Sequence, residues 1–167
     1  MPAPMPAVRG FTLVELIAVM LIIGITAALV GPRFFSQTTF RDSGFEESFY
    51  NQLRYAHDAA VTSGCHVQMQ ISATGYQAMS DAQCPGGPLP PAFTQTLIDP
   101  ETGMALAATA PSDLVLSGGL GNLIFAPDGS IRSGSWNSAP FNQLTIQAQG
   151  GAVSRSYVLY GLSGYIQ

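Results

Sequence analysis

Apolar and polar positions along the chain fall into successive stretches of different period. From Phe11 to Pro32, "FTLVELIAVMLIIGITAALVGP", the run is almost continuously apolar, and Glu15 is its single charged residue. A helix of that length, rising about 1.5 Å per residue, covers roughly the ~30 Å hydrocarbon core of a bilayer. The run therefore predicts a membrane-anchoring helix over residues 11–31. Pro32, preceded by Gly31, predicts a kink, because its ring removes a backbone donor and crowds the preceding turn. Beyond it, Phe45, Phe49, Leu53, Ala56 and Ala60 recur at spacings of 4, 4, 3 and 4, the apolar stripe of an amphipathic helix. The stripe predicts a helical continuation over 32–64 that packs on the chain's own sheet, with Gly64 as its C-cap.

After Cys65 the period drops to two. "HVQMQIS" alternates Val67, Met69 and Ile71 with polar residues, and "GYQAMS" follows across a short "ATG" turn, which reads as a hairpin. Residues 85–111 hold six of the twelve prolines and read as a long irregular connection. "DLVLS", "NLIFA", "SIRSGS", "NQLTIQA" and "SRSYVLYG" each read as a strand, with "PDG" at 127–129 as a tight turn. The expected fold class is α+β: a long N-terminal helix packed on a globular β domain, 65–167, of about six or seven antiparallel strands.

Composition narrows the function classes. Once a leader and an anchor are set aside, about 135 of the 167 residues remain, enough for one soluble domain. There is no lysine, and six arginines face ten acids, so no basic patch is available for nucleic acid. Arg132 and Arg155 alone do not make a DNA-capturing cluster. Outside the apolar run the chain is rich in Gly, Pro, Ser, Thr and Gln, which suits an exported, loop-rich domain. If that domain lies outside the cytoplasm, Cys65 and Cys84 are expected to form a disulfide, whose loop would contribute roughly 3 kcal/mol. Two unpaired buried thiols are the alternative, and a zinc site lacks the usual ligand spacing.

The N-terminus does not read as a removable secretory signal, since its small residue, Gly10, precedes the apolar run instead of following it. Arg9 and the α-amine lie before the run, with only Arg33 and Arg41 soon after it. That bias favours a cytoplasmic N-terminus and an exported C-terminal domain.

"RGFTLVELIAVMLIIGITAALVGP" resembles the N-terminus of type IV pilins and of the pseudopilins of type II secretion. The resemblance implies a leader, residues 1–10, removed by a prepilin peptidase after Gly10, followed by N-methylation of Phe11. Glu15 then becomes the fifth residue of the mature chain, and Pro32 marks the helix kink. The implied partners are other pilin or pseudopilin subunits, the prepilin peptidase and an inner-membrane assembly platform. The implied location is the bacterial inner membrane, single pass with a periplasmic C-terminal domain, and then a filament. A lone carboxylate at the bilayer centre costs about 2.5–3.5 kcal/mol. Pairing with a neighbour's N-terminal ammonium would compensate it, so the resemblance makes Glu15 an assembly residue. "NQLRYAHDAAVTSGCHVQMQI", "IFAPDGSI" and "YGLSGYIQ" are similar to the minor pseudopilin H group and related minor pilins, including those of mannose-sensitive haemagglutinin-type pili.

Catalytic chemistry finds little to rest on. His57 and Asp58, and Cys65 and His66, are sequence neighbours and so point to different faces. There is no GxSxG elbow, HExxH, P-loop or Rossmann glycine pattern, and "GLSG" at 161–164 lacks the residue between its serine and its second glycine. "DPETG" at 99–103 offers too few oxygens for calcium, which takes roughly six to eight. The expectation is a structural, non-enzymatic subunit with no cofactor and no metal. The alternative is an anchored periplasmic binding module or enzyme that does not polymerise.

Overall fold

The computed structural model describes residues 11–34, 37–84, 89–150 and 153–167. The chain divides into two compact units, Met1–Gln37 and Thr38–Gln167.

The first unit holds helix α1, Leu13–Phe34. Thr12 starts it: its hydroxyl accepts the Glu15 N–H at 3.3 Å and its carbonyl the Leu16 N–H at 3.2 Å. "TLVE" is thus an N-terminal capping sequence, a threonine followed three residues on by a glutamate. Thr26 turns its hydroxyl back to the carbonyls of Ile22 and Ile23, at 2.9 and 3.0 Å, so its polarity is satisfied within the helix. α1 includes Pro32 and ends at Phe34. Residues 35 and 36, which follow it, lie outside the described residues. The described side chains of α1 run from Leu13 to Ala27, about 22 Å of helix, and among the described residues no helix is long and apolar enough to cross a membrane.

In the second unit, α2, Gln37–Ser63, packs on two antiparallel sheets. Phe45, Phe49, Leu53, Ala56 and Ala60 are all buried, as the spacing predicted. Phe49 lies at the centre of an aromatic cluster, with the Tyr76 and Tyr157 rings each 5.1 Å from its own. Each large side chain fully buried here is worth about 1.5–3 kcal/mol, far more than helix propensity supplies over the same turn. Gly64, at φ 71°, ends α2 in the left-handed conformation that a C-cap needs.

The strands are β1 Val67–Ser72, β2 Gly75–Asp81, β3 Phe93–Thr96, β4 Ala107–Thr109, β5 Leu114–Ser117, β6 Gly121–Phe125, β7 Ile131–Ser133, β8 Leu144–Gly150 and β9 Val153–Leu159. The larger sheet runs β3-β2-β1-β6-β7, with β4 also on β2; the smaller runs β5-β8-β9. The fold class is α+β, a helical N-terminal region followed by an antiparallel β domain. Alternation sets which face is buried. Val67, Met69 and Ile71 of β1, Leu114 and Leu116 of β5, Ile146 and Ala148 of β8, and Tyr157 and Leu159 of β9 form one core with the α2 stripe.

Among the described residues nine strands in two sheets replace the expected six or seven, and the difference lies mostly in residues 85–111. β3 and β4 occupy successive stretches of one edge of β2. Between them the Ala78 N–H donates to the Leu106 carbonyl, and the Leu97 N–H donates to the Ala78 carbonyl. Ile98 and Ala105 bridge, so residues 98–105 leave the sheet edge as a small hairpin. Leu106 is buried and Leu97 packs on the core, which ties this segment down. Most of the prolines flank these strands and Pro100 sits in the turn, where a missing N–H costs nothing.

A disulfide joins Cys65, just after α2, to Cys84, just after β2, with Cα atoms 5.5 Å apart. The unpaired-thiol and zinc alternatives therefore fall, because both sulfurs are used.

Candidate functional site

The sequence places its candidate assembly residues at the start of α1. Gly10 and the leader, 1–10, lie outside the described residues. Phe11 stands two residues before the helix and is exposed, and Glu15 lies exposed in the first turn. The Glu15 N–H is used by the Thr12 cap, while its carboxylate accepts no hydrogen bond among the described residues. A carboxylate in the first turn also faces the positive end of the helix dipole. The cap and the dipole thus hold Glu15 in place whatever its carboxylate later meets. Around it Leu13, Val14, Leu16, Ile17, Val19, Met20 and Ile22 are all exposed. An apolar surface running all round a helix axis has no solvated side and needs either lipid or other helices to cover it.

The second unit's polar clusters are structural in geometry. The His57 Nε2–H donates to the Gly129 carbonyl at 3.0 Å, its Nδ1 lies 3.5 Å from an Asp58 oxygen, and its ring stands edge-on to Phe125. His66 stands edge-on to Trp136, and burial, then the Arg132 charge, lowers its pKa. Asp99 Oδ1 accepts the Glu101 N–H, and Oδ2 accepts the Thr102 hydroxyl and the Gln52 amide, so "DPETG" is a turn held by its own carboxylate. In the "PDG" turn, Asp128 accepts both the Ser130 N–H and hydroxyl and pairs with Arg132. Those hydrogen bonds, the hydroxyl's first, hold its pKa below the usual carboxylate value. Among the described residues no group of three or more His, Cys, Asp or Glu could hold a metal ion.

Asp42 and Glu46, one turn apart on α2, are both buried. Both Asp42 oxygens and Glu46 Oε1 lack a hydrogen-bond partner among the described residues. Burial raises the Glu46 pKa; Arg155 opposes the shift and Asp42 adds to it. The Glu46 carbonyl accepts the buried Tyr157 hydroxyl at 2.9 Å.

Two relationships escaped sequence reasoning. One is the Thr12–Glu15 cap, for which the threonine-x-x-glutamate spacing was the available signal. The other is that "IFAPDGSI" and "YGLSGYIQ", far apart in sequence, converge on His57 through Gly129 and Gly164.

Comparison with known families matches two stretches of the chain. The family described as Type II transport protein GspH matches residues 47–163, well over half of the chain. The chain belongs to the GspH family. Residues 5–31 match the Prokaryotic N-terminal methylation motif, which takes in Gly10, Phe11 and Glu15. No curated protein and no solved structure matches the chain. In this GspH-family chain the matched region runs from the buried α2 stripe through both sheets to the C-terminal turn. The family signal therefore rests on the packed core and its turns, in keeping with a structural subunit.

Proposed function

We infer that the chain is a minor pilin or pseudopilin, a structural subunit of a type II secretion pseudopilus or type IV pilus. The observation that carries this reading is the occurrence, in one chain, of the methylation motif over 5–31 and the GspH family over 47–163. On this reading the prepilin peptidase cuts after Gly10 and N-methylates Phe11. Residues 11–31 hold the protein in the inner membrane with its C-terminal domain in the periplasm, and the assembly platform then moves it into the filament. The exposed apolar surface of α1 supports a lipid environment first and a helical one afterwards. Glu15 supplies the key: its carboxylate, unoccupied by the cap, pairs with the Phe11 ammonium of a neighbouring subunit. That pairing turns a costly lone charge into a compensated one and fixes axial register. The Cys65–Cys84 disulfide suits the oxidising periplasm.

The intact mass and N-terminal peptide of protein purified from its own membranes, with and without the prepilin peptidase, test the processing. The expected product starts at N-methylated Phe11 and lacks two hydrogens for the disulfide. A chain still beginning at Met1 in the presence of the peptidase overturns it. Glu15→Leu tests assembly: the protein should remain in the membrane but fail to enter filaments. Full function of Glu15→Leu would instead support a non-polymerising anchored module, because removing a carboxylate only eases membrane residence.

A further inference from the structure

Between α2 and the C-terminal turn lies an open groove of about 320 Å³, lined by Tyr50, Arg54, His57, Asp58, Tyr165 and Ile166 among others. Its polar groups are unequally committed. Tyr50 OH donates to the Ile166 carbonyl at 3.4 Å, closing the groove's floor, and His57 Nε2–H is held by Gly129. Asp58 is exposed and lies 3.5 Å from His57 Nδ1, a contact that becomes an ion pair only when the ring is protonated, and it forms no ion pair with Arg54, although the two are one helical turn apart. Arg155 is spent on Glu47 at 3.0 Å, and Arg132 on Asp128 at 3.2 Å. Arg54 is exposed and has no carboxylate within ion-pair distance among the described residues.

Arg54 is nevertheless positioned. Its guanidinium lies over the Tyr50 ring, 5.9 Å from the centroid, and that ring also takes Arg155 at 5.6 Å. An arginine stacked on an aromatic face loses part of its freedom while its N–H fork stays outward, the arrangement that suits bidentate recognition of a carboxylate. The groove also presents an aromatic side chain to solvent: Tyr165 is 58% exposed. A stacked arginine in one groove with an exposed tyrosine, in a domain otherwise short of cations, has the composition of an interface centre.

We propose that this groove is a docking site for an acidic side chain presented by another subunit of the filament, with Arg54 as the anchoring cation and Tyr165 as the aromatic wall. Charge complementarity selects the occupant: an unpaired guanidinium lining a groove calls for a carboxylate, and the aromatic wall calls for a protein segment. The identity of the carrier as a filament subunit rests on the function proposed above; the carboxylate chemistry does not.

The test is an NMR titration of the full-length chain in detergent micelles with a short peptide of alternating Glu and Gly, and with its Gln counterpart. The Glu peptide should shift Tyr165 and His57 resonances saturably. Arg54→Gln should weaken the interaction by about tenfold or more, the scale of one lost charge-assisted contact, and Arg41→Gln, the same loss of charge elsewhere, should leave it unchanged. Higher salt should weaken it. No saturable shift, an equal response to the Gln peptide, or an unchanged response in Arg54→Gln overturns the proposal. Because the titration needs no assembly, it can succeed where Glu15→Leu shows that no filament forms, and fail where filaments form normally.

Discussion

Gly164 packs directly against the ring of His57: a Cβ built on that glycine would overlap His57 Nε2 and the Gly129 carbonyl that accepts its proton. The backbone at Gly164 has φ 68°, which a side chain also disfavours. One position thus lets the C-terminal turn close onto α2 and the "PDG" turn together. Gly164→Ala is expected to destabilise the second unit by about 2–3 kcal/mol, from overlap and backbone strain. Thermal unfolding should show a midpoint about 8 °C lower. A change under about 2 °C would mean that the turn moves aside freely.

The disulfide closes a loop of 19 residues' separation between the end of α2 and the end of β2. In the chain-entropy account such a closure is worth roughly 3 kcal/mol. Reduction, or Cys65→Ala with Cys84→Ala, should therefore lower the thermal midpoint by about 10 °C. The two treatments should agree, since both remove the same link. A midpoint indifferent to reductant would show that the core alone fixes this end of the helix.

The α2 stripe, the β1–β2 hairpin and the later strands were legible because each follows a clean period, 3.6 or 2, set by which face the core covers. The hairpin at 98–105 was not legible. Six prolines between residues 85 and 111 outweighed the two leucines, Leu97 and Leu106, that bring the segment back to the sheet. The burial of Asp42 and Glu46 was equally hidden, since both stand among polar residues on a helix where solvation is the ordinary expectation. At the N-terminus the residue pattern singled out Phe11 and Glu15 as candidates. It did not reveal that Thr12 holds Glu15 through its backbone.

Glu46 gives a pH dependence of definite sign. Its pKa is raised from 4.5, first by burial. A carboxyl raised on folding binds protons more readily in the folded state, so stability falls as pH rises through and above the ordinary value. The cost is absent below that value and complete once the pH passes the raised one. Glu46→Gln should therefore stabilise the chain at pH 7.5 by about 1 kcal/mol, raising the midpoint by about 4 °C. The advantage should shrink as the pH falls toward about 4.5. Urea unfolding of both proteins across that range checks it. A constant difference would assign the effect to packing and not to charge.

The 98–105 hairpin meets α2 through two side chains, Gln52 donating to Asp99 Oδ2 at 3.2 Å and the Tyr55 hydroxyl donating to the Ile98 carbonyl at 3.2 Å. Asp99 also closes the turn through Glu101 and Thr102, so one carboxylate shapes the hairpin and ties it to the helix. These hydrogen bonds hold its pKa down, the backbone N–H of Glu101 foremost. Asp99→Ala should loosen the hairpin while sparing the Phe49 cluster. Hydrogen exchange separates the two regions. The Asp99 and Gly103 amides, whose bonds close the turn, should exchange faster by about tenfold or more, while Met69 and Ile71 in β1 keep their protection. Equal acceleration in β1 would show that the hairpin is part of the same cooperative unit as the sheet, and that its anchor on α2 contributes to the whole domain.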